Sequence, residues 1–377
     1  MSITLSHQSA LDVVRMLRTD GTSIQEMDYG RLAKPSSWVG KRLDGRSFAS
    51  PRWRWPQPKA GRPLHVFVPE EAARMRGVHM RSHVSPPNLP PHSILWLDEF
   101  SSVVCPELLF VQMAQTFSLP MLVMLGHELC GHFSRCANNP CGGPVAEDIP
   151  AATSVERLSN YLGALGRARG LPHAKKALRY IGDHALSVPE AVLATIYALP
   201  ASESGYGMGP VTLNERVVLG DASVHSGKTC RYPDIMFSFA PVGINYDGEG
   251  HLDLSEVQSL VTRALHASSN DRPELEAALR KKLVDIRAKV VDDNVRGRQL
   301  AARGRVVFPV TKEDVENGDC LDELTLQLLF CARTVFGADT STYEKTLNDT
   351  LLKRDRDDLL DALTSRQRYG ESSYGSM

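Results

Sequence analysis

The feature that most constrains this chain is a change of hydrophobic pattern near residue 211. Before it, five successive segments carry apolar side chains in the pattern of helices. These segments are 105–117, 119–133, 154–170, 174–185 and 187–199. After it come short β-rich runs bounded by Gly and Pro, at 212–219, 232–239 and 242–248. A chain of 377 residues is too long for one compact core, so the change of pattern predicts two domains and a tail.

The order of the elements predicts an α/β protein with a mostly helical N-terminal region. The second domain should hold a mixed sheet flanked by helices, because a polar helix, a strand and an amphipathic helix follow its β-rich runs. We place these three at 272–302, 305–310 and 321–336. The predicted division is an irregular N-terminal segment at 1–63, an α+β, mainly helical domain at 64–185, an α/β domain at 186–337, and a charged helix with a disordered tail at 338–377.

Composition narrows the class of protein without naming a function. Apolar residues make up 42% and charged residues 23%, which is ordinary for a soluble globular protein. No apolar run approaches the ~20 residues of a membrane span, and the N-terminus lacks the features of a signal peptide. Seven scattered cysteines fit reduced thiols, so we expect a cytoplasmic protein. A net charge of −1 means that any nucleic-acid binding must come from local patches.

The sequence GHELCGH at 126–132 looks like a zinc-protease motif. Its histidines, His127 and His132, are five residues apart, which separates them by roughly 140° on a helix and denies them a common metal. Four apolar residues of the same segment form a stripe with His132 at its edge and His127 nearly opposite, which predicts a helix packed on the core. A zinc site remains the alternative, with the ligands Cys130, His132, Cys136 and Cys141.

A basic and aromatic segment occupies residues 46–63. Its two tryptophans, Trp53 and Trp55, stand among five Arg and Lys residues, and its prolines forbid a long helix. Such a segment can stack bases and pair with phosphates. The alternative is a solvated loop whose tryptophans pack on the domain.

The region 231–251 carries the strongest candidate for chemistry. A Pro-Asp pair ending at Asp234 opens one predicted strand, and the next strand ends in Asp-Gly at Asp247, four residues before His251. Adjacent strands would bring Asp234 and Asp247 to one edge of the sheet, where close carboxylates repel unless a cation lies between them. Oxygen ligands favour Mg²⁺ or Mn²⁺, which polarises a phosphodiester and lowers the pKa of a bound water.

These residues resemble the PD-(D/E)XK nuclease superfamily, in particular the very-short-patch-repair endonucleases and the small nuclease domains called DUF559. Those families run from a helix with a Glu to a strand with Pro-Asp, a strand ending in Asp-Gly, and a His. Residues 292–315 resemble their closing helix and strand, in which Asp293, Arg296 and Leu300 fill the pattern D-x-x-R-x-x-x-L. The N-terminal half resembles AbiEi-type abortive-infection antitoxin-like proteins, and the whole resemblance covers about residues 64–335.

The resemblance implies a restriction-endonuclease-like fold and a metal-dependent DNA endonuclease acting in phage defence or DNA repair. It implies that Asp234 and Asp247 hold Mg²⁺ or Mn²⁺, that His251 is a general base or proton shuttle, and that Glu190 is the remaining acid. Asn245 departs from the family, because many members carry a Glu there, and an amide lacks the charge that steadies a cation.

A second departure concerns the lysine of the superfamily's motif. This chain has Asp247 at that position, and Glu249 lies nearby in the sequence as a substitute. Together the departures keep an alternative function open. In it, the chain is a catalytically degenerate antitoxin or DNA-binding regulator with a toxin or defence-system partner.

Several of these residues also have structural interpretations. Ser187 and Glu190 fit an S-x-x-E capping box, Asp247 begins a common turn dipeptide, and His251 fits an exposed loop. Asp234 is the hardest to explain structurally, because a strand disfavours Asp unless something binds it.

Two arginines on the predicted helix at 272–302 are candidate DNA contacts. Arg296 and Arg298 follow Asp292 closely and can clamp phosphate oxygens bidentately. The alternative pairs them with Asp292 and Asp293 on a solvated helix face.

Overall fold

A computed structural model describes residues 3–30, 32, 53–58, 61–74, 77–136, 145–220, 227–248, 254–268 and 271–364. The chain forms two units. The first consists of Met1–Val211 together with Asp361–Met377, and the second of Thr212–Leu360. Both units combine helices with a mixed sheet, which confirms the predicted α/β class.

The first unit is built on a five-stranded sheet. Its strands are β1 (Ile3–Leu5), β2 (Leu64–Val68), β3 (Met80–Val84), β4 (Ile94–Trp96) and β5 (Ser101–Val104). They lie in the order β3-β2-β1-β5-β4. The central strand β1 pairs antiparallel with β2 and parallel with β5, while β2 and β3 are parallel.

Six helices complete the first unit. They are α1 (His7–Thr19), α2 (Pro106–Met113), α3 (Leu119–Cys130), α4 (Val155–Ala164), α5 (Leu171–Ala177) and α6 (Val188–Ala198). Every residue of α2 is buried, and so are most residues of α3 and α6. A helix that is apolar on all sides must lie inside a core, so these three form the centre of the helical layer.

Two boundaries differ from the sequence-based division. The predicted boundary at 185/186 lies inside the first unit, because α6 packs against α3 there and the division falls at 211/212. Residues 1–63 were predicted to be irregular after a short helical pattern at Ala10, Val13, Val14 and Leu17. That pattern lies in α1, and β1 precedes it. Leu11, Val13 and Val14 on α1 are fully or almost fully buried, so this short apolar pattern belongs to the core.

The second unit contains two sheets. The larger consists of β6 (Val211–Leu213), β9 (Ile235–Phe237), β10 (Val242–Asp247) and β11 (Val306–Thr311) in the order β11-β10-β9-β6, and a pair is formed by β7 (Val217–Val218) and β8 (Cys230–Arg231). Strands β9 and β10 form an antiparallel hairpin, while β10 and β11 are parallel.

Helices supply the rest of the second unit. They are α7 (Leu254–His266), α8 (Arg272–Ala302), α9 (Lys312–Glu316), α10 (Gly318–Phe336), α11 (Ser341–Asn348) and α12 (Thr350–Thr364), whose residues from Asp361 onward belong to the first unit. Parallel neighbours need a long crossover, and α7 and α8 lie between β10 and β11 in the chain. The predicted helix 272–302 is confirmed, and Gly304 follows it in the left-handed region at φ +70°. The predicted disordered end at 365–377 lies outside the described residues.

Candidate functional site

The β9–β10 hairpin of the second unit holds Asp234 at its open end. Asp234 precedes β9, and Asp247 is the last residue of β10. The backbone N–H of Tyr246 donates to Oδ2 of Asp234 at 2.6 Å, and the backbone N–H of Asp234 donates to Oδ1 of Asn245 at 3.1 Å. Only 16% of the Asp234 side chain is exposed, so the strand pairing sets this carboxylate deep in the hairpin.

Arg296 on α8 reaches the same point. Its guanidinium donates to Oδ1 of Asp234 at 3.3 Å, to Oδ1 of Asn245 at 2.8 Å and to the backbone oxygen of Tyr232. Burial raises the pKa of Asp234 above its ordinary value, and the nearby carboxylate of Asp247 acts in the same direction. The charge of Arg296 and the Tyr246 N–H oppose this rise in pKa. Asn245 therefore binds both the arginine and the Asp234 backbone through its side-chain oxygen.

A lysine that sequence reasoning missed lies in the same neighbourhood. Lys289 is on α8 seven residues before Arg296, which puts both on one face of the helix. Burial lowers the pKa of Lys289, whereas the charges of Asp247, Asp293 and Asp234 raise it. The helix thus brings an ammonium group into the field of three carboxylates. The signal available in the sequence was the helical spacing of Lys289, Asp293 and Arg296.

Arg298 and Asp292, the other members of the predicted charged helix face, lie in different surroundings from Arg296. The carboxylate of Asp292 accepts hydrogen bonds from the buried Arg231 at 2.9 and 3.0 Å and from Lys228 at 2.9 Å. The pairing of Asp292 with Arg296 or Arg298 on a solvated helix face was therefore wrong, because β8 supplies the closer guanidinium. Arg298 is exposed on α8, a position open to a phosphate.

The structure describes Glu190, among the other two predicted site residues, but not His251. Glu190 belongs to the first unit, where its Oε2 accepts from the backbone N–H of Leu186 at 3.0 Å and its Oε1 accepts from the Ser187 hydroxyl at 2.9 Å. The Ser187 hydroxyl in turn accepts from the backbone N–H of Glu190 at 3.4 Å. We therefore assign Glu190 to helix capping. His251 and Glu249 lie outside the described residues.

The GHELCGH segment is a core helix, as its apolar stripe predicts. His127 is also fully buried, and its Nδ1 lies 3.3 Å from the backbone oxygen of Gly182. Both sides of α3 are covered, because α5 and α6 pack against it. Glu128 is also buried and accepts two hydrogen bonds from Arg15, at 2.7 and 2.8 Å.

The alternative zinc ligands are engaged in other ways where they are described. Burial raises the pKa of the Cys130 thiol, and the ring of His132 lies 3.1 Å from the backbone oxygen of Ile149 and 3.2 Å from the ring of His184. Cys141 lies outside the described residues, so this ligand set as a whole stays a prediction. The six described cysteines are all free thiols.

The basic and aromatic segment is described at residues 53–58 and 61–63. The indole of Trp55 donates to the hydroxyl of Ser101 at 2.8 Å, and that of Trp53 donates to the backbone oxygen of Pro56 at 3.4 Å. Arg62 pairs with Asp12 at 2.6 Å. These contacts favour the packed loop, while binding of nucleic acid by the segment stays a prediction.

Three histidines of the first unit form a cluster that the sequence did not reveal. His7, His65 and His83 each offer a ring nitrogen within 4.8 Å of the others, and no other such group of ligands occurs among the described residues. Nδ1 of His65 lies 3.0 Å from Nε2 of His83, and the rings of His7 and His83 stack at 3.5 Å. Separations of 58 and 18 residues match no short metal motif, so only the fold brings these residues together.

The cluster is electrostatically unusual. Burial lowers the pKa of His7 to about 2, of His65 to about 4 and of His83 to about 3. The charge of Arg81 adds to the lowering in each case, as does mutual repulsion among the histidines for His7 and His83. All three imidazoles are therefore neutral at neutral pH, the form that binds metal ions.

The cluster lines a large cleft confined to the first unit. The cleft has a volume of about 1520 Å³, and its wall includes six arginines and two glutamates. The arginines are Arg15, Arg74, Arg81, Arg135, Arg167 and Arg169. Arg15 pairs with Glu128 and Arg74 with Glu71, so the wall keeps a net positive charge.

No protein-family model, curated protein or solved structure matches this chain. Among the described residues, no helix combines the length and apolar character needed to cross a lipid bilayer.

Proposed function

We propose that the second unit is a nuclease-like domain of the PD-(D/E)XK type that binds DNA and hydrolyses its phosphodiester bonds with Mg²⁺ or Mn²⁺. The observation that carries the proposal is the partly buried carboxylate of Asp234 at the end of a strand hairpin, paired with Arg296 and close enough to Asp247 for that charge to raise the pKa of Asp234. Withdrawing a carboxylate from water at a strand start is costly, and such a cost is retained most often at functional sites.

The chain path around the hairpin supports the same type of fold. Strand β9 opens after Pro-Asp, β10 ends at Asp247, and the long helix α8 precedes β11, which returns parallel to β10. This is the order that the sequence resemblance implies. It puts α8 in position to place charged side chains at the hairpin, as Arg296 does.

The donor set fits a hard divalent cation. Asp234 and Asp247 lie at the same end of the β9–β10 hairpin and offer carboxylate oxygens, which Mg²⁺ and Mn²⁺ prefer. When bound, the cation would polarise the phosphodiester and acidify a water. Asp234 and Asp247 would hold it.

The cationic side chains have separate tasks in this proposal. Arg296 binds Asp234 and Asn245 in the free protein, and it would turn to the scissile phosphate when a cation takes over Asp234. Lys289, held among carboxylates, would place a positive charge beside the developing negative charge of the phosphate. Arg298, exposed on α8, would contact a neighbouring phosphate.

A cleavage assay on the full chain tests the proposal. We expect cleavage of plasmid or single-stranded DNA with Mg²⁺ or Mn²⁺ and none with EDTA. Asp234→Asn should reduce the rate at least about 100-fold, because loss of a metal ligand removes several kcal/mol of stabilisation. Asp285→Asn, which alters an exposed carboxylate on the same helix as Arg296, is the matched control. Equal rates for wild type and Asp234→Asn would remove the catalytic assignment.

A second candidate function is DNA binding without hydrolysis, as in a degenerate antitoxin or regulator. The pairing of Arg296 with Asp234 and Asn245 favours it, because this network satisfies the carboxylate without any metal. It predicts that wild type binds DNA without cleaving it, with affinity that falls as salt rises. Arg298→Ala should weaken such binding, while Asp234→Asn should leave it intact. This candidate would be excluded if the DNA affinity of the protein changed neither with salt concentration nor with the substitution Arg298→Ala.

A further inference from the structure

The histidine cluster of the first unit has no part in the function proposed above. We propose that His7, His65 and His83 bind one divalent transition-metal ion of the zinc class, with an open coordination position that faces the cleft and takes an oxyanion.

Three separate elements hold the ligands. His65 lies on β2 and His83 on the neighbouring parallel strand β3, where register pairs His65 with Arg81 and Phe67 with His83. Side chains two apart on a strand share a face, so both imidazoles project from the same side of the sheet. His7 begins α1 directly after β1, the strand on the other side of β2. Ligands fixed on strands and a helix start are well suited to a preorganised site.

The distances suit a small cation. Zinc bound at roughly 2 Å by imidazoles in a tetrahedron keeps its ligand nitrogens roughly 3.3 Å apart. The observed 3.0 Å between His65 and His83 nitrogens is close to that spacing. His7 stacks on His83 and offers a ring nitrogen within 4.8 Å of those of both partners, so the three residues form one group of potential ligands.

The free arrangement combines backbone strain with a buried donor that has no partner among the described residues. His7 has φ +48°, a left-handed conformation that non-glycine residues rarely adopt. It is held there because its backbone N–H donates to Oε1 of Gln112 at 2.8 Å. The amide nitrogen of the same Gln112, a residue only 3% exposed, is the buried donor. Strain and an unmet donor beside the buried His7 and His65 and the half-buried His83 are typical of a functional site.

The cleft around the histidine cluster favours an anion at the open coordination position. Three protein ligands leave one position of a tetrahedral ion for another group, as in catalytic rather than structural zinc sites. The same cleft wall carries more arginines than glutamates, and Arg81 is the cross-strand partner of His65, so its side chain starts from the same face of the sheet as His65 and His83. The positive charge of Arg81 would repel a divalent cation unless an anion were bound beside it. We therefore expect the open coordination position to bind an oxyanion such as a carboxylate or phosphate.

Metal binding by the full chain tests the site. After removal of metal with a chelator, Co²⁺ should bind with about one ion per chain and give the visible absorption of a four-coordinate ion. His65→Gln and His83→Gln should each weaken binding at least about 100-fold, more than loss of an outer-shell partner costs. Two controls, His132→Gln in the alternative zinc set and the exposed His266→Gln, should bind Co²⁺ as wild type does.

X-ray absorption of the zinc-loaded wild type needs no variant and guards against misfolding. It should show nitrogen and oxygen neighbours and no sulfur. Addition of acetate, but not of chloride at equal ionic strength, should shift the Co²⁺ spectrum. Three results would overturn the site. They are failure of the wild type to bind Co²⁺, sulfur among the neighbours of the metal, and loss of metal binding in His132→Gln while His83→Gln still binds. A spectrum indifferent to acetate would overturn the open position.

Discussion

At the residue scale, buried charges in this protein are met by partners from distant parts of the chain. Arg15 on α1 forms a bidentate pair with Glu128 on α3, and Arg18, only 1% exposed, donates to the backbone oxygens of Glu128 and Gly131 at 2.7 and 2.8 Å. Removing one partner of such a pair leaves the other charge buried and unpaired, in a protein interior that solvates it poorly. These contacts tie α1 to the end of α3.

We therefore expect Glu128→Ala to lower the free energy of unfolding by about 3–5 kcal/mol, because Arg15 is left buried without its carboxylate. Urea denaturation followed by circular dichroism measures this change. Glu71→Ala is the matched control, since Glu71 also pairs with an arginine but lies exposed on the surface. It should leave stability essentially unchanged. A small, equal effect of both variants would show that the buried pair contributes little.

The pH dependence of the same variant provides a further check. Burial opposes ionisation of Glu128, but the charge and hydrogen bonds of Arg15, with Arg135 and Arg18, outweigh it and hold the pKa below the ordinary 4.5. A carboxylate with a lowered folded-state pKa stabilises the protein above its unfolded pKa. It loses that contribution as pH falls through the folded-state value. The gap between wild type and Glu128→Ala should therefore be full at pH 7 and shrink below pH ~4.5.

At the element scale, the sequence predicted helices better than strands. The apolar helices at 105–117, 119–133 and 187–199 all occur, with bounds shortened to Pro106–Met113, Leu119–Cys130 and Val188–Ala198. Strand β1 was missed, because three residues are too few to show an alternating pattern. It is the central strand because it pairs with β2 on one side and β5 on the other. Those partners are distant in the sequence, so a short window around β1 cannot predict the pairing.

Two glycines of the second unit make a paired prediction. A Cβ on Gly243, inside β10, would lie 2.4 Å from both the backbone oxygen of Ile235 and the sulfur of Met236. Gly243→Ala should destabilise the unit by about 1–3 kcal/mol through overpacking. Gly297 lies on α8 with no atom within 4 Å of such a Cβ, so Gly297→Ala should stabilise it by about 0.5–1 kcal/mol. Differential scanning calorimetry measures both, and a shift of the same sign would contradict the argument.

At the scale of the whole molecule, the chain contains two separate cores. The first includes the apolar faces of α1, α2, α3 and α6, and the second includes buried residues of β9, β10 and α10. Each unit therefore has buried apolar residues of its own.

We expect two heat-absorption transitions on unfolding of the full chain. Glu128→Ala should lower the midpoint of one of them and Gly243→Ala that of the other, since the two residues lie in different units. Saturating Co²⁺ should raise the same midpoint that Glu128→Ala lowers, because a ligand of the folded state stabilises the unit that binds it. A single transition shifted alike by both variants would show that the units unfold together.

The sequence by itself determined the α/β class, the apolar helices, the long polar helix, and the candidate acid Asp234. Each depends on a local pattern: helical periodicity, a terminating glycine, or an aspartate that a strand disfavours. Only the tertiary structure decided which residues meet. It gave Asp234 the partner Arg296, turned Glu190 into a helix cap, and gathered His7, His65 and His83. Those outcomes depend on strand pairing and helix packing between distant segments, and local spacing carries no information about them.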